Sequence, residues 1–124
     1  GPPAPAGGRK KRRRGAATPP RPRRTRTAAR KGTIERFAGD RVLRNNDQRN
    51  LVIALALEYD GVSADPGHFE TAYERMGWRA PADPAGSLRR TERAGWLDRG
   101  PGNTRIPSAA GRAWHADGQA PPEA

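Results

Sequence analysis

The longest apolar run in the chain, LVIALAL over residues 51–57, is the feature that most constrains its fold. Seven residues are far too few to span a membrane, which takes about 20. In its context, QRNLVIALALEYDG, the run is apolar on every side of a helix, and such a helix is buried by several neighbours. Asn46 or Asp47 is the expected N-cap, and Gly61 is the expected end. We therefore predict a central helix around which the other elements pack.

Two Asp-Pro pairs indicate where further helices begin. Asp65-Pro66 starts a stretch with apolar residues at helical spacing, and this stretch is expected to end at Gly77. Asp83-Pro84 starts a second stretch, AGSLRRTERAG, which is expected to end at Gly95. Because only a short linker separates the two, the pair is typical of two helices joined by a turn.

A hairpin and a last helix are predicted next. WLDRGPGNTRIP indicates a strand, a turn and a strand, with Gly100, Gly102 and Asn103 supplying the positive φ angles that a tight turn needs. Ser108 is the expected N-cap of the final helix, AAGRAWHADG. The predicted fold class is therefore mainly α with a small β-hairpin.

The two ends of the chain offer too little apolar surface to fold. Residues 1–32 contain no Leu, Ile, Val, Phe, Trp, Tyr or Met, so we expect them to be disordered, and we expect the same of residues 118–124. Residues 33–44 predict either a short helix capped by Thr33 or an extended arm laid against the domain. The folded domain itself is expected over residues 45–117.

The positive charge is concentrated in the N-terminal tail. The chain has a net charge of +11, yet residues 33–124 hold 12 Arg against 13 acids. Residues 1–32 hold the other 12 cations and no acid. Such a tail gains affinity for a phosphate backbone through counterion release, whatever the base sequence. The tail residues predicted to bind phosphate are Arg9, Lys10, Lys11, Arg12, Arg13, Arg14, Arg21, Arg23, Arg24, Arg26, Arg30 and Lys31.

The predicted order of elements is that of a helix-turn-helix with an appended hairpin. The stretch SLRRTERAGWLDR, followed by GPGNTRI and then PSAAGRAW, resembles winged-helix regulators such as the MarR and PadR families over residues 45–117. In those families the second wing strand leads into a Thr-Pro-x-Gly-Arg-like helix start; here Pro107 and Ser108 stand in the opposite order. The resemblance implies a winged helix, with residues 84–95 as recognition helix and residues 98–106 as wing.

The arginines of the predicted recognition helix fall on one side of it. Leu88 and Thr91 fall on the other side, and because Leu88 needs burial, the arginine side is expected to face out toward a DNA major groove. Local charge agrees, since residues 84–116 hold six Arg and two acids whereas residues 45–83 hold three Arg and seven acids. The predicted DNA contacts are Gly86, Ser87, Arg89, Arg90 and Arg93 on the helix, and Arg99, Asn103, Thr104 and Arg105 on the wing.

These features predict a protein that binds double-stranded DNA through the backbone, with weak sequence selectivity. The abundance of Arg, Ala, Gly and Pro is typical of a high-GC bacterium, so we expect a cytoplasmic, nucleoid-associated protein, either a transcription regulator or a chromosome-associated protein. RNA is an alternative partner for the tail. A homodimer through residues 47–60 and Trp114 is a further expectation, although residues 33–44 could cover the central helix instead.

The alternative interpretation is that the domain is a protein-interaction module. In it the winged helix docks a protein, or forms the terminal domain of a larger one, and the tail serves as a nonspecific tether. The start at Gly1-Pro2 without methionine is typical of a fragment of a longer protein. The two interpretations differ in whether the domain itself binds DNA once the tail is removed.

Catalysis is not expected from this sequence. The chain has no cysteine, which removes thiolate metal sites and cysteine nucleophiles. His68 and Glu70 are similar to part of a zinc deaminase motif, but the cysteine ligands of that motif are missing. No glycine-rich phosphate loop follows a strand. We therefore expect neither a metal nor another cofactor.

Overall fold

The computed structural model describes residues 28–118 and residue 122. This part of the chain is mainly helical with one two-stranded antiparallel hairpin, which confirms the predicted fold class. The elements in chain order are α1 (Lys31–Ala38), α2 (Asn46–Asp60), α3 (Pro66–Met76), α4 (Pro84–Arg93), β1 (Leu97–Arg99), β2 (Arg105–Pro107) and α5 (Ala109–Asp117).

The central helix is α2, as the apolar run predicts. Every residue of the run 51–57 is buried, and α1, α3, α4 and β2 all contact this helix. The C-cap is Gly61, with the expected positive φ of 69°. The N-cap is Asn45 rather than Asn46 or Asp47, because the Asn45 side chain accepts a hydrogen bond from the Gln48 amide. The predicted N-cap was therefore wrong by one residue.

Residues 28–32 belong to the folded domain, so the prediction of a disordered tail was wrong for them. Ala29 is completely buried, and the Arg30 peptide N–H donates to Asp60 Oδ2 at 2.9 Å. The Thr33 hydroxyl donates to Asp60 Oδ1 at 3.1 Å. A buried carboxylate needs such donors, and it fixes the start of α1 to the end of α2. Thr33 lies within α1, whose N-cap is Arg30, so the prediction of Thr33 as the cap was wrong. The rest of the predicted tail, residues 1–27, lies outside the described residues.

The other predicted helix starts are confirmed by their caps. Asp65, Asp83 and Ser108 each accept a hydrogen bond from a backbone amide three residues on. Gly77 and Gly118 end α3 and α5 in the left-handed conformation. Gly118 therefore belongs to the helix cap rather than to the C-terminal tail. Of the remaining tail residues, the structure describes residue 122 alone.

The hairpin pairs Leu97 with Pro107 and Arg99 with Arg105. The Arg105 amide also donates to the Ala64 carbonyl at 3.1 Å, so the segment between α2 and α3 lies along the outer edge of β2. Gly102 has a positive φ of 62°, as expected, but Gly100 does not. Gly100 is needed for its small size, since a Cβ there would lie 2.6 Å from the Thr104 hydroxyl oxygen. The order and packing of these elements are compatible with a winged helix.

Candidate nucleic-acid interface

Helix α4 turns its arginines to solvent. Leu88 and Thr91 are buried, whereas Arg89, Arg90 and Arg93 are exposed, which is the orientation that the helical spacing predicts. Arg90 and Arg93 have no ion pair with any other residue between 28 and 118, and both are available to an external anion. The three guanidinium groups form what we call the α4 face.

Gly86 and Ser87 lie on the buried side of α4 rather than on its exposed arginine side. The Gly86 amide donates to Asp83 Oδ1 at 3.1 Å, and the Asp83 side chain covers the position where a Cβ would stand. The Ser87 hydroxyl accepts a hydrogen bond from Asn50 Nδ2 at 3.1 Å and is shielded from solvent. Neither residue can reach DNA without unfolding the first turn of the helix, so we leave both out of the interface.

A buried polar network holds α4 in place. Asn50 of α2 lies at its centre: Nδ2 donates to the Ser87 and Thr91 hydroxyl oxygens, and Oδ1 accepts from the Tyr73 hydroxyl at 2.9 Å. Thr91 in turn donates to Asp47 Oδ1 at 2.6 Å. Burial raises the pKa of the Tyr73 hydroxyl, so Tyr73 remains a donor to Asn50. Because side chains of α2, α3 and α4 share this network, it fixes the orientation of the α4 face.

The sequence does not predict this network, although one signal points to it. Asn50 immediately precedes the apolar run, and Thr91 shares the buried side of α4 with Leu88. A polar residue at a buried helical position needs a partner. Which partner it has depends on how the helices cross, and the sequence does not provide that information.

The wing is tied to α4 by Glu92. One carboxylate oxygen of Glu92 lies 3.3 Å from Arg99 Nε and 3.1 Å from Arg105 Nε. Only the contact with Arg99 has hydrogen-bond geometry, and the Arg105 Nε group has no hydrogen-bond acceptor among the described residues. The pair with Arg105 is therefore an ion pair by distance alone. Glu92 places both wing arginines beside the α4 face.

Arg105 is a structural residue of the wing. Its side chain is only 2% exposed, and its Nη1 group donates to Asn103 Oδ1 and to the Thr104 carbonyl. Burial lowers the pKa of Arg105, and the nearby charge of Arg99 lowers it further, while Glu92 opposes the shift. Since this guanidinium lies inside the wing, we also leave Arg105 out of the interface.

The remaining wing residues lie at or near the surface. Arg99 is about half exposed at 52% of its side chain and could exchange Glu92 for a phosphate. Asn103 is exposed at the hairpin tip. The Thr104 hydroxyl is already used, because it donates to the Pro101 carbonyl at 2.6 Å. The surface left for an anion therefore consists of the α4 face together with Arg99 and Asn103.

Two acids limit the positive charge of this surface. Arg89 Nη2 lies 3.9 Å from an exposed carboxylate oxygen of Asp83, and Arg99 lies beside Glu92. Exposed ion pairs of this kind contribute little energy and are easily exchanged for another anion. The surface is thus cationic but partly neutralised, and it suits moderate attraction to a polyanion.

The residues predicted for a homodimer are covered within a single chain. The apolar residues of α2 are buried by α1, α4 and β2. Trp114 packs edge-on against Trp96, with ring centroids 5.1 Å apart, and the Arg41 guanidinium lies 5.1 Å from the Trp114 ring centre. The homodimer stays a prediction, but this packing already covers the apolar residues of α2 and the Trp114 ring within a single chain.

Of the tail residues predicted to bind phosphate, the structure describes two. Arg30 and Lys31 lie at the start of α1. The structure does not describe the other predicted tail contacts, namely Arg9, Lys10, Lys11, Arg12, Arg13, Arg14, Arg21, Arg23, Arg24 and Arg26.

Comparison of the chain with family models, with curated proteins and with solved structures found no match. The resemblance to winged-helix regulators therefore rests on the residues, order and packing given above. Within the part of the chain that the structure describes, none of the helices has the length and apolar character that crossing a membrane requires. Nor do any three His, Asp or Glu side chains in that part converge on a position where a metal ion could be held.

Proposed function

We propose that this protein binds double-stranded DNA, chiefly through the phosphate backbone, with α4 in the major groove and the wing beside it. The α4 face carries the proposal: three arginines project from one helix, and a buried network fixes that helix. Arginine suits this role because its planar guanidinium can bond to phosphate and to guanine edges alike. Arg99, next to the α4 face, adds a fourth exposed cation.

The first turn of α4 argues for weak sequence selectivity. In helix-turn-helix proteins the N-terminal residues of the recognition helix contact base edges. Here that turn carries an exposed Asp83 carboxylate, which repels phosphate, and the buried Gly86 and Ser87. The outward arginines lie further along the helix, where they can reach the backbone on either side of the groove. We therefore favour an architectural, nucleoid-associated role in a high-GC bacterium over that of a dedicated operator reader.

The tail adds affinity without adding selectivity. Ten of its cations lie in residues 9–26 and are joined to the domain at Ala28. Each cation that meets a phosphate releases counterions, so binding by the full chain should weaken steeply as salt rises. The tail would concentrate the protein on DNA or RNA, and the domain would set how it sits on the duplex.

A mobility-shift assay tests the proposal on two duplexes of unrelated sequence. The full chain and residues 28–124 should both bind. Arg90→Ala combined with Arg93→Ala should weaken the binding of each protein, and the loss should be about the same on one duplex as on the other. Arg112→Ala is the control for a lost surface charge, because Arg112 belongs to α5 rather than to the α4 face and donates two hydrogen bonds to Glu58. If residues 28–124 bind neither duplex at low salt, the domain is not the DNA-binding part.

A protein-interaction module is the second candidate, and one feature of the wing favours it. Along β2, Arg105 and Pro107 are buried while Ile106 is 40% exposed, the reverse of the usual alternation. Ile106 borders a groove of about 200 Å³ between β2 and the end of α2. An exposed apolar wing residue suits a protein partner better than a phosphate. An Ile106→Ser variant with unchanged DNA affinity would leave this candidate open, whereas weakened DNA binding would assign Ile106 to the DNA interface.

A further inference from the structure

Glu92, in the last turn of α4, holds two arginines of the hairpin with one oxygen atom. Its Oε1 atom lies 3.3 Å from Arg99 Nε and 3.1 Å from Arg105 Nε. Arg99 and Arg105 stand directly opposite each other in the hairpin register, so their side chains leave the same face of the hairpin. Two like charges in such a pair repel each other, and the Glu92 carboxylate, which is close to both, offsets that repulsion.

The two arginines differ in what they can exchange. The Arg99 side chain is half exposed, and its Nε group donates a hydrogen bond to Glu92. The Arg105 side chain is almost completely buried, and its Nε group has no hydrogen-bond acceptor among the described residues, although the Glu92 carboxylate is within reach. An external phosphate can therefore reach Arg99 but not Arg105, whereas Arg105 holds an unused donor beside Glu92.

Glu92 has to stay with Arg105 when Arg99 is taken away from it. Arg105 has Glu92 as its ion-pair partner, whereas the positive charges of Arg99 and Arg89 act against Arg105. A buried charge that loses its partner is strongly destabilising. Movement of Glu92 into solvent is thus unfavourable, and the smaller movement is a rotation that turns its carboxylate toward the Arg105 Nε group.

We propose that Arg105 is a positioning residue of the DNA interface, which takes over the Glu92 carboxylate when a backbone phosphate binds Arg99. This inference rests on the proposed function, and it adds how the wing exchanges its internal anion for the phosphate. In the free protein the Arg99 Nε group donates to Glu92, and in the complex the Arg105 Nε group does so. The carboxylate keeps a hydrogen bond throughout, and its charge stays paired beside the incoming phosphate.

Nuclear magnetic resonance of the Arg105 Nε–H group tests this exchange in the full chain. The proton should shift downfield and exchange more slowly with water when a short duplex is added, because it gains a charged acceptor. Arg99→Ala should produce the same change in the free protein, since Arg105 is then the remaining partner of Glu92. An Arg105 signal that does not move in the Arg99→Ala variant would overturn the inference without any DNA being present.

A double-mutant cycle separates the exchange from a merely structural role of Arg105. Arg105→Gln should weaken the binding of a duplex about tenfold, because Glu92 then has no charged donor to replace Arg99. In a Glu92→Gln background the same substitution should change the affinity less than about twofold, since no carboxylate has to be handed over. Equal losses in the two backgrounds would mean that Arg105 only holds the wing through Asn103 and Thr104, and would overturn the inference.

The controls separate the possible failures. Arg112→Ala breaks another exposed ion pair, on α5, and should leave the Arg105 signal unchanged. Thermal unfolding shows which variants are folded, and if Arg105→Gln is not, the Arg99→Ala spectrum decides, because it leaves Arg105 and Glu92 in place. Absence of duplex binding by the full chain would defeat the proposed function, whereas an unmoved signal in Arg99→Ala would defeat the exchange alone.

Discussion

Replacing Asn50 by alanine should destabilise the domain by about 4–6 kcal/mol. The side chain is 1% exposed and makes three hydrogen bonds, two through Nδ2 and one through Oδ1. Each such bond contributes about 1 kcal/mol net, and a buried group left without a partner costs a further 1–3 kcal/mol. Ser87 would lose the donor to its hydroxyl oxygen, and the Tyr73 hydroxyl would keep only the Asn46 carbonyl at 3.4 Å.

Asn50→Leu separates the polar contribution from the packing contribution. Leucine has the same branched skeleton of four side-chain heavy atoms as asparagine, so it refills the cavity, with bulkier methyl groups, and leaves the hydroxyl groups unpaired. It should therefore remain destabilising, by about 1–3 kcal/mol. Asn103→Ala is the matched control, since Asn103 is exposed at the hairpin tip and surface substitutions usually fall within about 0.5 kcal/mol of zero.

Urea unfolding followed by tryptophan fluorescence measures these free energies, because Trp96 is buried against Trp114 and reports on the core. Each variant is compared with the wild type at unchanged m-value. A loss below about 1 kcal/mol for Asn50→Ala, or one equal to that of Asn103→Ala, would refute the reasoning. It would mean that the network of α2, α3 and α4 does not hold the arginine helix.

Three further predictions follow from the packing and the ion pairs. Leu88→Ala should cost about 2–5 kcal/mol in urea unfolding, as expected for a buried leucine, and a loss under about 0.5 kcal/mol would mean that α4 is rotated. Removing residues 1–27 should leave the thermal unfolding midpoint unchanged. Removing residues 1–32 should lower the midpoint, because Ala29 and the Arg30 amide that binds Asp60 are lost. Equal midpoints for the two truncated proteins would contradict this prediction. The hydrogen bond from Arg112 lowers the pKa of Glu58 below its ordinary value of 4.5, so this ion pair stabilises the fold at neutral pH and its contribution is lost as the pH falls below about 4.5. Wild type and Arg112→Ala should therefore differ in urea midpoint at pH 7 and converge in acid, and a constant difference would contradict the pairing.

Local patterns were enough to predict most of the fold. The all-round apolar run identifies α2, and the Asp-Pro pairs place the starts of α3 and α4, because caps and first-turn prolines act within a few residues. The start of α1 was missed for a physical reason. Ala28 and Ala29 give no apolar signal of their own, and the partner of the Arg30 amide is Asp60, 30 residues away.

The candidate site was predicted less completely than the fold. Helical spacing correctly turns Arg89, Arg90 and Arg93 outward because that periodicity is local. Arg99 and Arg105 are alike in sequence, yet one is half exposed and the other buried. Both lie beside Glu92, and what separates them is the Ala64 carbonyl, a tertiary contact that accepts a hydrogen bond from the Arg105 amide on the outer edge of β2.

The salt dependence of DNA binding by residues 28–124 tests the central claim most directly, because it counts the phosphates that the domain itself meets. The logarithm of the binding constant is measured against the logarithm of salt concentration for the wild type, Arg90→Ala and Arg93→Ala, with Arg112→Ala as the control. Each α4 variant should reduce the magnitude of the slope by about 1 and weaken binding equally on every duplex. Slopes that match the wild type would contradict the claim, since α4 would then be an ordinary solvated helix.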